Sequence, residues 1–599
     1  MELATTIHSK KQDFKILWYF FQRHQFKMLF VFLIMAVSGL LEALNLAVLY
    51  PILNYGLNIQ TDSIKLQFLD HILYLINREN LFFSSCILLI VVSLVAALMK
   101  FIYHFVSNDL LRVIVAENQN EIFKKYTNAE YKYFVKSQQG KLVYAGTVAT
   151  LGVSNSVILI IRIFNSAFAL LFFFGLLTIL SWQGTVIMLA LGLVYAAFIK
   201  QILQYIINKY SHLSINEDQK KNIILNEFIT GIKTIRAFAN FDFWRKKYAE
   251  AVDNSALYGF RVYMGRALPD IMLKCGFFVC IAITGIVMHY QFSADVMPYL
   301  PIMGTFVGVM SRIVPYGNLL GNDIVLIARH MPDTRIVYNT LHEKMEPPQY
   351  EQKPVSGFKE GIEFQNVWFK YDTMDDYFLK GISFAIEKGK VTAVVGPSGV
   401  GKTSIVSLLL KFHHPQEGSI VWDGEDIKSL DTSSYLAHIG YVPQETFLYN
   451  GTVADNIRFG QEKVSMDEVA AAAKLANAHE FIEKTEAGYE TMVGDAGMKL
   501  SAGQRQRIAI ARVILRKPEI FIFDEATSSL DNLSEQSIKD AIDKIARQST
   551  VLIIAHRLST VKNADKIIVV HDGRIVEHGT HKELIENKGN YFQLFSVNN

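Results

Sequence analysis

Six stretches before residue 330 are each apolar for long enough to cross about 30 Å of hydrocarbon as a helix. They lie near 28–54, 81–106, 157–181, 184–206, 267–290 and 298–326. A helix in a soluble bundle keeps a polar face, whereas these stretches are apolar all round, so a water-soluble core is a poor home for them. Composition agrees: of 599 residues, 51% are hydrophobic and only 19% charged, too apolar for an ordinary soluble protein. Six spans return the chain to the side on which it started. Ser181-Trp182-Gln183-Gly184 reads as the tight turn between the third and fourth.

Loop charge sets the side. Lys10, Lys11, Lys15, Arg23 and Lys27 precede the first span. Residues 107–156 carry Arg112, Lys124, Lys125, Lys132, Lys136 and Lys141, and residues 207–266 are similarly basic. The opposite loops carry only Lys65 and Arg78. The positive-inside tendency therefore predicts that the basic loops, both termini and everything after the last span are cytoplasmic. The residues through Lys11 lack a signal-peptide core,. Phe14–His24 mixes Phe14, Leu17, Trp18, Phe20 and Phe21 with cations, the pattern of a helix lying on a bilayer surface,. Both long basic loops keep apolar residues at helical spacing, which predicts spans extended into the cytoplasm. Cys86, Cys275 and Cys280 all fall inside apolar runs and read as packing thiols,. A net charge of +3 argues against a general nucleic-acid binder.

After about residue 330 the pattern changes. Residues 331–358 read as a connector with three prolines between Met345 and Pro354, and 359–599 alternate short β-rich runs with helical ones,. Gly396-Pro397-Ser398-Gly399-Val400-Gly401-Lys402-Thr403 follows an apolar strand, Val391–Val395, and precedes a helical run from Ser404. That is the context in which glycine-rich backbone curls around phosphates at a helix N-terminus. Gly396, Ser398, Gly399, Val400, Gly401, Lys402, Thr403 and Ser404 are the expected nucleotide contacts, with Lys402 on the outer phosphates and Thr403 on Mg²⁺. About 120 residues on, Ile520-Phe521-Ile522-Phe523 ends in Asp524-Glu525. Two carboxylates at the end of a buried strand need a cation, which Mg²⁺ supplies through Asp524, leaving Glu525 to position or deprotonate a water.

Between these motifs lies Leu500-Ser501-Ala502-Gly503-Gln504, and with it the second half resembles the ABC transporter ATPases. Their usual third signature residue is Gly; here it is Ala502. The resemblance implies γ-phosphate contacts from Ser501 and Gly503 of a second subunit, with Gln504 a further nucleotide-binding residue. It implies adenine stacking on Tyr371, a metal-linked Gln444, a subunit-crossing loop Ser529-Leu530-Asp531 and a switch His556 beside the catalytic Glu525. Thr491–Gly497, with Asp495, and Gly231–Phe238 and Tyr133-Phe134 resemble exporter segments that join ATPase to membrane loops.

The expectation is therefore an α-helical membrane domain over 1–330, with six transmembrane helices, joined to an α/β P-loop ATPase domain of ABC type. It implies an ATP-driven exporter in a bacterial inner membrane, using ATP and Mg²⁺ at the interface of a homodimer, with a heterodimer as the alternative. Importers of this family usually keep the two parts on separate chains. Glu42, Lys274 and Arg312 fall at membrane depth, where charge is costly and usually functional,. Arg162 is expected to snorkel to the cytoplasmic interface. The first span, with Glu42 and Pro51, resembles that of flippases for lipid-linked saccharides, so an amphipathic lipid is the expected cargo. Multidrug or peptide export, and a nucleotide-regulated channel or receptor, are the competing readings.

Overall fold

The computed structural model describes the chain apart from residues 1, 60–66, 183–184, 187–188, 190–209, 211–212, 215, 219, 292–299, 346–352, 373, 527–530, 556–560 and 598–599. It divides into two units: 1–128 with 138–344, and 129–137 with 345–599.

The first unit is helical. α1 (Glu2–Gln22) is followed by α2 (Gln25–Ala47) and α3 (Leu49–Gly56), then α4 (Gln67–Ile76), α5 (Leu81–Asn128), α6 (Tyr131–Lys136, which belongs to the second unit), α7 (Gln139–Gly146), α8 (Val148–Leu180), α9 (Ile232–Ala237), α10 (Phe241–Gln291) and α11 (Leu300–His342). The break between α2 and α3 has a local cause: Pro51 lies in the first turn of α3, where a missing N–H is tolerated,. Among the described residues, Gln25–Gly56, Leu81–Asn128 and Gln139–Leu180 are long and apolar enough to cross a membrane. The fifth expected span lies within the longer α10 and the sixth, from Leu300 onward, within α11, while residues 298–299 and most of the fourth, 184–206, lie outside the described residues. α11 continues to His342, so the start of the stretch read as a connector is its last three turns, with Pro332 inside the helix.

Val153, Val157 and Ile161 of α8 pack with Ile34 and Met35 of α2 and with Met331, Val337 and Leu341 of α11. A second cluster joins Ala43, Ala47 and Val48 to Phe173, Leu177 and Val309. Phe26, Leu29, Phe30 and Leu33 of α2 and Leu94, Leu98, Phe101 and Phe105 of α5 stay exposed, the outward apolar face that a bilayer would cover. α1 is split likewise: Ile16 and Phe20 are buried, whereas Phe14 and Trp18 are exposed and stack on each other.

The second unit is α/β. A six-stranded sheet runs in the order β10-β9-β3-β8-β7-β6, and a four-stranded sheet in the order β2-β1-β4-β5. The strands are β1 (Gly361–Phe369), β2 (Leu379–Glu387), β3 (Val391–Val395), β4 (Glu417–Trp422), β5 (Glu425–Asp426), β6 (Ile439–Val442), β7 (Ile520–Asp524), β8 (Thr550–Ala555), β9 (Lys566–His571) and β10 (Arg574–Gly579). β6, β7, β8, β3 and β9 pair in parallel. β7 and β8 are buried along their whole length, as expected of strands covered on both faces. Around them lie α12 (Lys402–Leu409), α13 (Val453–Arg458), α14 (Met466–Leu475), α15 (Ala502–Leu515) and α16 (Asn532–Ala546). The C-terminal ends of β3, β7 and β6 release the glycine-rich loop, Glu525 and the Gln444 segment along one edge, where ligands bind in open α/β sheets.

Candidate functional site

The glycine-rich loop runs from β3 to the N-terminus of α12. Gly396 has φ 157° and Gly401 φ 110°. A Cβ on Gly396 would lie 2.3 Å from the carbonyl oxygen of Val570, and one on Gly401 2.4 Å from a Leu379 methyl. Only glycine meets both conditions, which keeps the backbone in the tight loop that suits phosphate. Lys402 is buried, and its Nζ donates to the carbonyl oxygens of Gly396 (2.9 Å) and Pro397 (2.8 Å). Burial lowers its pKa, against the pull of Glu525 and Asp524. Thr403 is exposed at the head of the helix. Tyr371 shares a 2.7 Å hydrogen bond with Ser404 Oγ, and its ring sits among Phe369, Phe378 and His413.

At the end of β7, Asp524 is 2% exposed. The Tyr441 hydroxyl donates to its Oδ2 at 3.4 Å, while Oδ1 meets no donor among the described residues. Burial, aided by the charge of Glu525, pushes its pKa up to about 6. An orphaned, desolvated carboxylate oxygen beside a phosphate loop fits a divalent cation such as Mg²⁺. Glu525 has φ 48°, left-handed for a glutamate, and its N–H donates to Ile554 of β8 at 3.0 Å. Such a conformation costs about 1–3 kcal/mol and is enriched at functional sites. His556, Ser529 and Leu530 lie outside the described residues.

Gln444 is exposed two residues beyond β6, whose Val442 registers with Phe523 of β7. Its segment is gripped by a residue the sequence reading missed. Buried Gln506 contacts the Thr446 hydroxyl and donates to the carbonyl oxygen of Pro443 at 3.2 Å. Gln506 lies on α15, directly after the signature residues, so the signature helix and the Gln444 segment are tied together. A polar residue on the otherwise apolar buried face of the helix was the available signal,.

Ser501 is the N-cap of α15. Its Oγ accepts from the N–H of Gln504 (3.2 Å), and Gln504 Oε1 accepts from the N–H of Ser501 (2.9 Å), a capping box. Gln504 is thus committed within its own chain. Ser501 and Ala502 are exposed and Gly503 is buried, so the signature's extra methyl meets solvent rather than packed atoms. The helix N-terminus and the Ser501 hydroxyl hydrogen remain available to an anion. Asp531 caps α16, accepting from the N–H of Ser534 at 3.2 Å.

α6 packs with the ATPase unit. Lys132 and Lys136 reach Asp372, the residue after Tyr371, at 2.8 and 2.6 Å, and Tyr131 stacks on Phe412 with centroids 4.5 Å apart. Hydrogen bonds from the two lysines hold the Asp372 carboxyl down at about 2.

In the membrane unit, Glu42 forms an ion pair with Lys100 of α5, and its Oε2 accepts from the Tyr316 hydroxyl at 2.6 Å. Lys100 was missed, although a lysine inside the 81–106 run was there to be read. Arg162, expected at the cytoplasmic interface, keeps 42% of its side chain exposed and lies 3.0 Å from Asp323, which is fully buried on α11. Counting helical rise gave its depth but not what the neighbouring helix presents. Glu42 and Asp323 are thus paired with Lys100 and Arg162. Lys274 is exposed on α10; Arg312 is exposed on α11, one turn before Tyr316, with no carboxylate in ion-pair range among the described residues.

The family described as ABC transporter matches residues 379–528, and that described as ABC transporter transmembrane region matches 26–264. The heterocyst differentiation ATP-binding protein HepA of Nostoc sp. is 33% identical over 478 residues, covering 80% of this chain and 78% of that protein. The ATP-dependent lipid A-core flippase of Saccharophagus degradans is 34% identical over 491 residues, covering 80% and 81%. Multidrug resistance protein 1 of Entamoeba histolytica is 36% identical over 393 residues, covering 62% of this chain but 30% of that protein. In fold, the chain resembles the solved structure of a bacterial Atm1-family ABC exporter with ATP bound, with a TM-score of 0.76, 23% identity and coverage of 95% and 98%. The chain belongs to the ABC transporters and is an exporter-type half-transporter, a membrane region and an ATPase domain on one polypeptide that hydrolyses ATP to drive transport.

Proposed function

We propose that two copies of this chain form a homodimeric flippase in a bacterial inner membrane, moving an amphipathic, phosphate-bearing lipid outward from the cytoplasmic leaflet. The observation that carries the cargo is electrostatic. Glu42 and Asp323 are neutralised within the chain, whereas Arg312 is exposed with no carboxylate nearby among the described residues. An exposed guanidinium at membrane depth suits a phosphate, which accepts several charge-assisted hydrogen bonds. The likeness to a lipid A-core flippase supports the reading.

In the ATPase, Tyr371 orients the base. Lys402 exchanges two backbone carbonyls for phosphate oxygens, and Ser501 and Gly503 of the second copy close the site over the γ-phosphate. Thr403, Gln444 and Asp524 are the residues that would hold Mg²⁺, which when bound neutralises phosphate charge. Glu525 takes the proton from the attacking water, and His556 holds the γ-phosphate side. Asp531 belongs to the loop that crosses to the second copy. ATP thereby favours the closed dimer and its hydrolysis releases it, the differential affinity that a switch requires. Gln506 couples the signature helix to the Gln444 segment within one chain.

The cargo reading is tested by ATPase stimulation across phosphate-bearing lipids, neutral lipids and cationic drugs. A phosphate-bearing lipid should stimulate, and Arg312→Ala should bring the stimulated-to-basal ratio down to near one. Stimulation by cationic drugs alone would favour multidrug export instead.

The loop chemistry gives a further expectation. Gly396→Ala should weaken ATP binding by at least about tenfold, because its Cβ meets backbone rather than a movable side chain,. Equilibrium nucleotide binding checks it, with far-UV circular dichroism to confirm the fold.

A further inference from the structure

Glu42 gathers groups from three helices. It sits on α2 with 14% of its side chain exposed, paired with Lys100 of α5, itself 47% exposed. The Tyr316 hydroxyl of α11 donates to its second oxygen, and Arg312 stands one turn earlier on that helix. A single carboxylate is therefore met by an ammonium and a hydroxyl, with a guanidinium at the border. Two cations and a hydroxyl exceed what one carboxylate needs and match the oxygens of a phosphate. At 1.5 Å per residue, Lys100 lies about 28 Å along α5 from Leu81, Tyr316 about 24 Å along α11 from Leu300 and Glu42 about 25 Å along α2 from Gln25, so the cluster falls within the membrane-spanning length of all three helices,.

We infer that Lys100 and Tyr316, bordered by Arg312, form an anion seat for the cargo's phosphate, and that Glu42 occupies this seat as an internal stand-in. This rests on the lipid reading above and adds two ligands and a threshold to it. A phosphate displaces the carboxylate because it brings more charge and more acceptor oxygens to the same donors. A neutral lipid has nothing with which to displace it. Glu42 therefore raises the amount of cargo needed and sharpens selection for phosphate-bearing head groups, specificity obtained by making the wrong partner pay desolvation without return.

The test uses the full-length protein in phosphatidylcholine nanodiscs doped with phosphatidic acid or, as the matched lipid without phosphate, diacylglycerol. The mole fraction giving half-maximal ATPase stimulation is the readout. Glu42→Gln should lower that fraction for phosphatidic acid by about tenfold, the scale of one charge-assisted hydrogen bond. Lys100→Gln and Tyr316→Phe should raise it, and diacylglycerol should not stimulate any form. Should Glu42→Gln fold poorly, Glu42→Asp keeps the charge, withdraws it from Lys100 and should shift the value the same way by less. If phosphatidic acid stimulates the wild type while the Glu42 and Lys100 variants respond within twofold of it, the pair only packs helices and the seat is refuted. If phosphatidic acid stimulates neither the wild type nor Glu42→Gln, the lipid reading itself falls. Stimulation by inorganic phosphate without the lipid would reassign the seat to a soluble phosphate ester and overturn the lipid assignment.

Discussion

Glu525→Gln should lower ATP hydrolysis by at least about 10²-fold while leaving ATP binding intact, because general-base assistance contributes that much or more. The substitution keeps the size of the side chain and removes only its capacity to take a proton. It also leaves Asp524, the more buried carboxylate, in place. Glu525 also carries a left-handed backbone, held by its N–H bond to Ile554, a conformation found often, though not solely, at functional sites,. The check is single-turnover hydrolysis alongside equilibrium binding of ATP. A closed dimer should accumulate, because the step that releases it is blocked. Near-normal turnover would remove Glu525 from the chemistry. Lys402→Ala should behave oppositely and weaken binding itself, since its ammonium is already held at the mouth of the phosphate loop by the carbonyls of Gly396 and Pro397.

Co-assembled Lys402→Ala and Ser501→Ala chains should recover activity that neither has alone. Each chain has one glycine-rich loop and one signature. If a site combines the loop of one copy with the signature of the other, the mixed dimer keeps one intact site and one doubly damaged site. Random pairing in a two-fold dimer makes half the dimers mixed, so about a quarter of wild-type activity is expected. The capping box sharpens the expectation for the signature arm. Ser501→Ala removes both the hydroxyl offered to the second copy and the N-cap of α15, which costs about 1 kcal/mol,. Ser501→Asn or Ser501→Asp keeps a capping side chain but not the hydroxyl, so these variants separate loss of the cap from loss of the shared site. If mixing restores nothing while each chain still dimerises, the shared-site arrangement is wrong.

Much of the ATPase was readable because its chemistry is local in sequence. Gly396 to Thr403 must turn tightly between a strand and a helix, and a few adjacent residue types suffice to specify that. Asp524-Glu525 at the end of an apolar strand is equally local. Gln506 was not legible in the same way: its role depends on the Gln444 segment folding back against α15, a contact that its immediate neighbours do not encode. The pairing of Lys132 and Lys136 with Asp372 likewise joins residues some 240 positions apart, and loop charge alone read those lysines as topology signals.

By itself, then, the sequence determined the class of molecule. Hydrocarbon length, loop charge and an ordered run of phosphate-binding motifs permit little besides a membrane region fused to a nucleotide-hydrolysing domain. Only the tertiary structure decided which charges in the membrane unit answer one another. Glu42 meets Lys100 and Tyr316, 58 and 274 positions away, and Arg162 meets Asp323. Hydropathy places each residue at a depth along its own helix. Which residue faces it depends on the rotation and register of the neighbouring helices, and those are set by how Val157, Ile161, Ile34 and Val337 pack, not by the apolar count of any one span,.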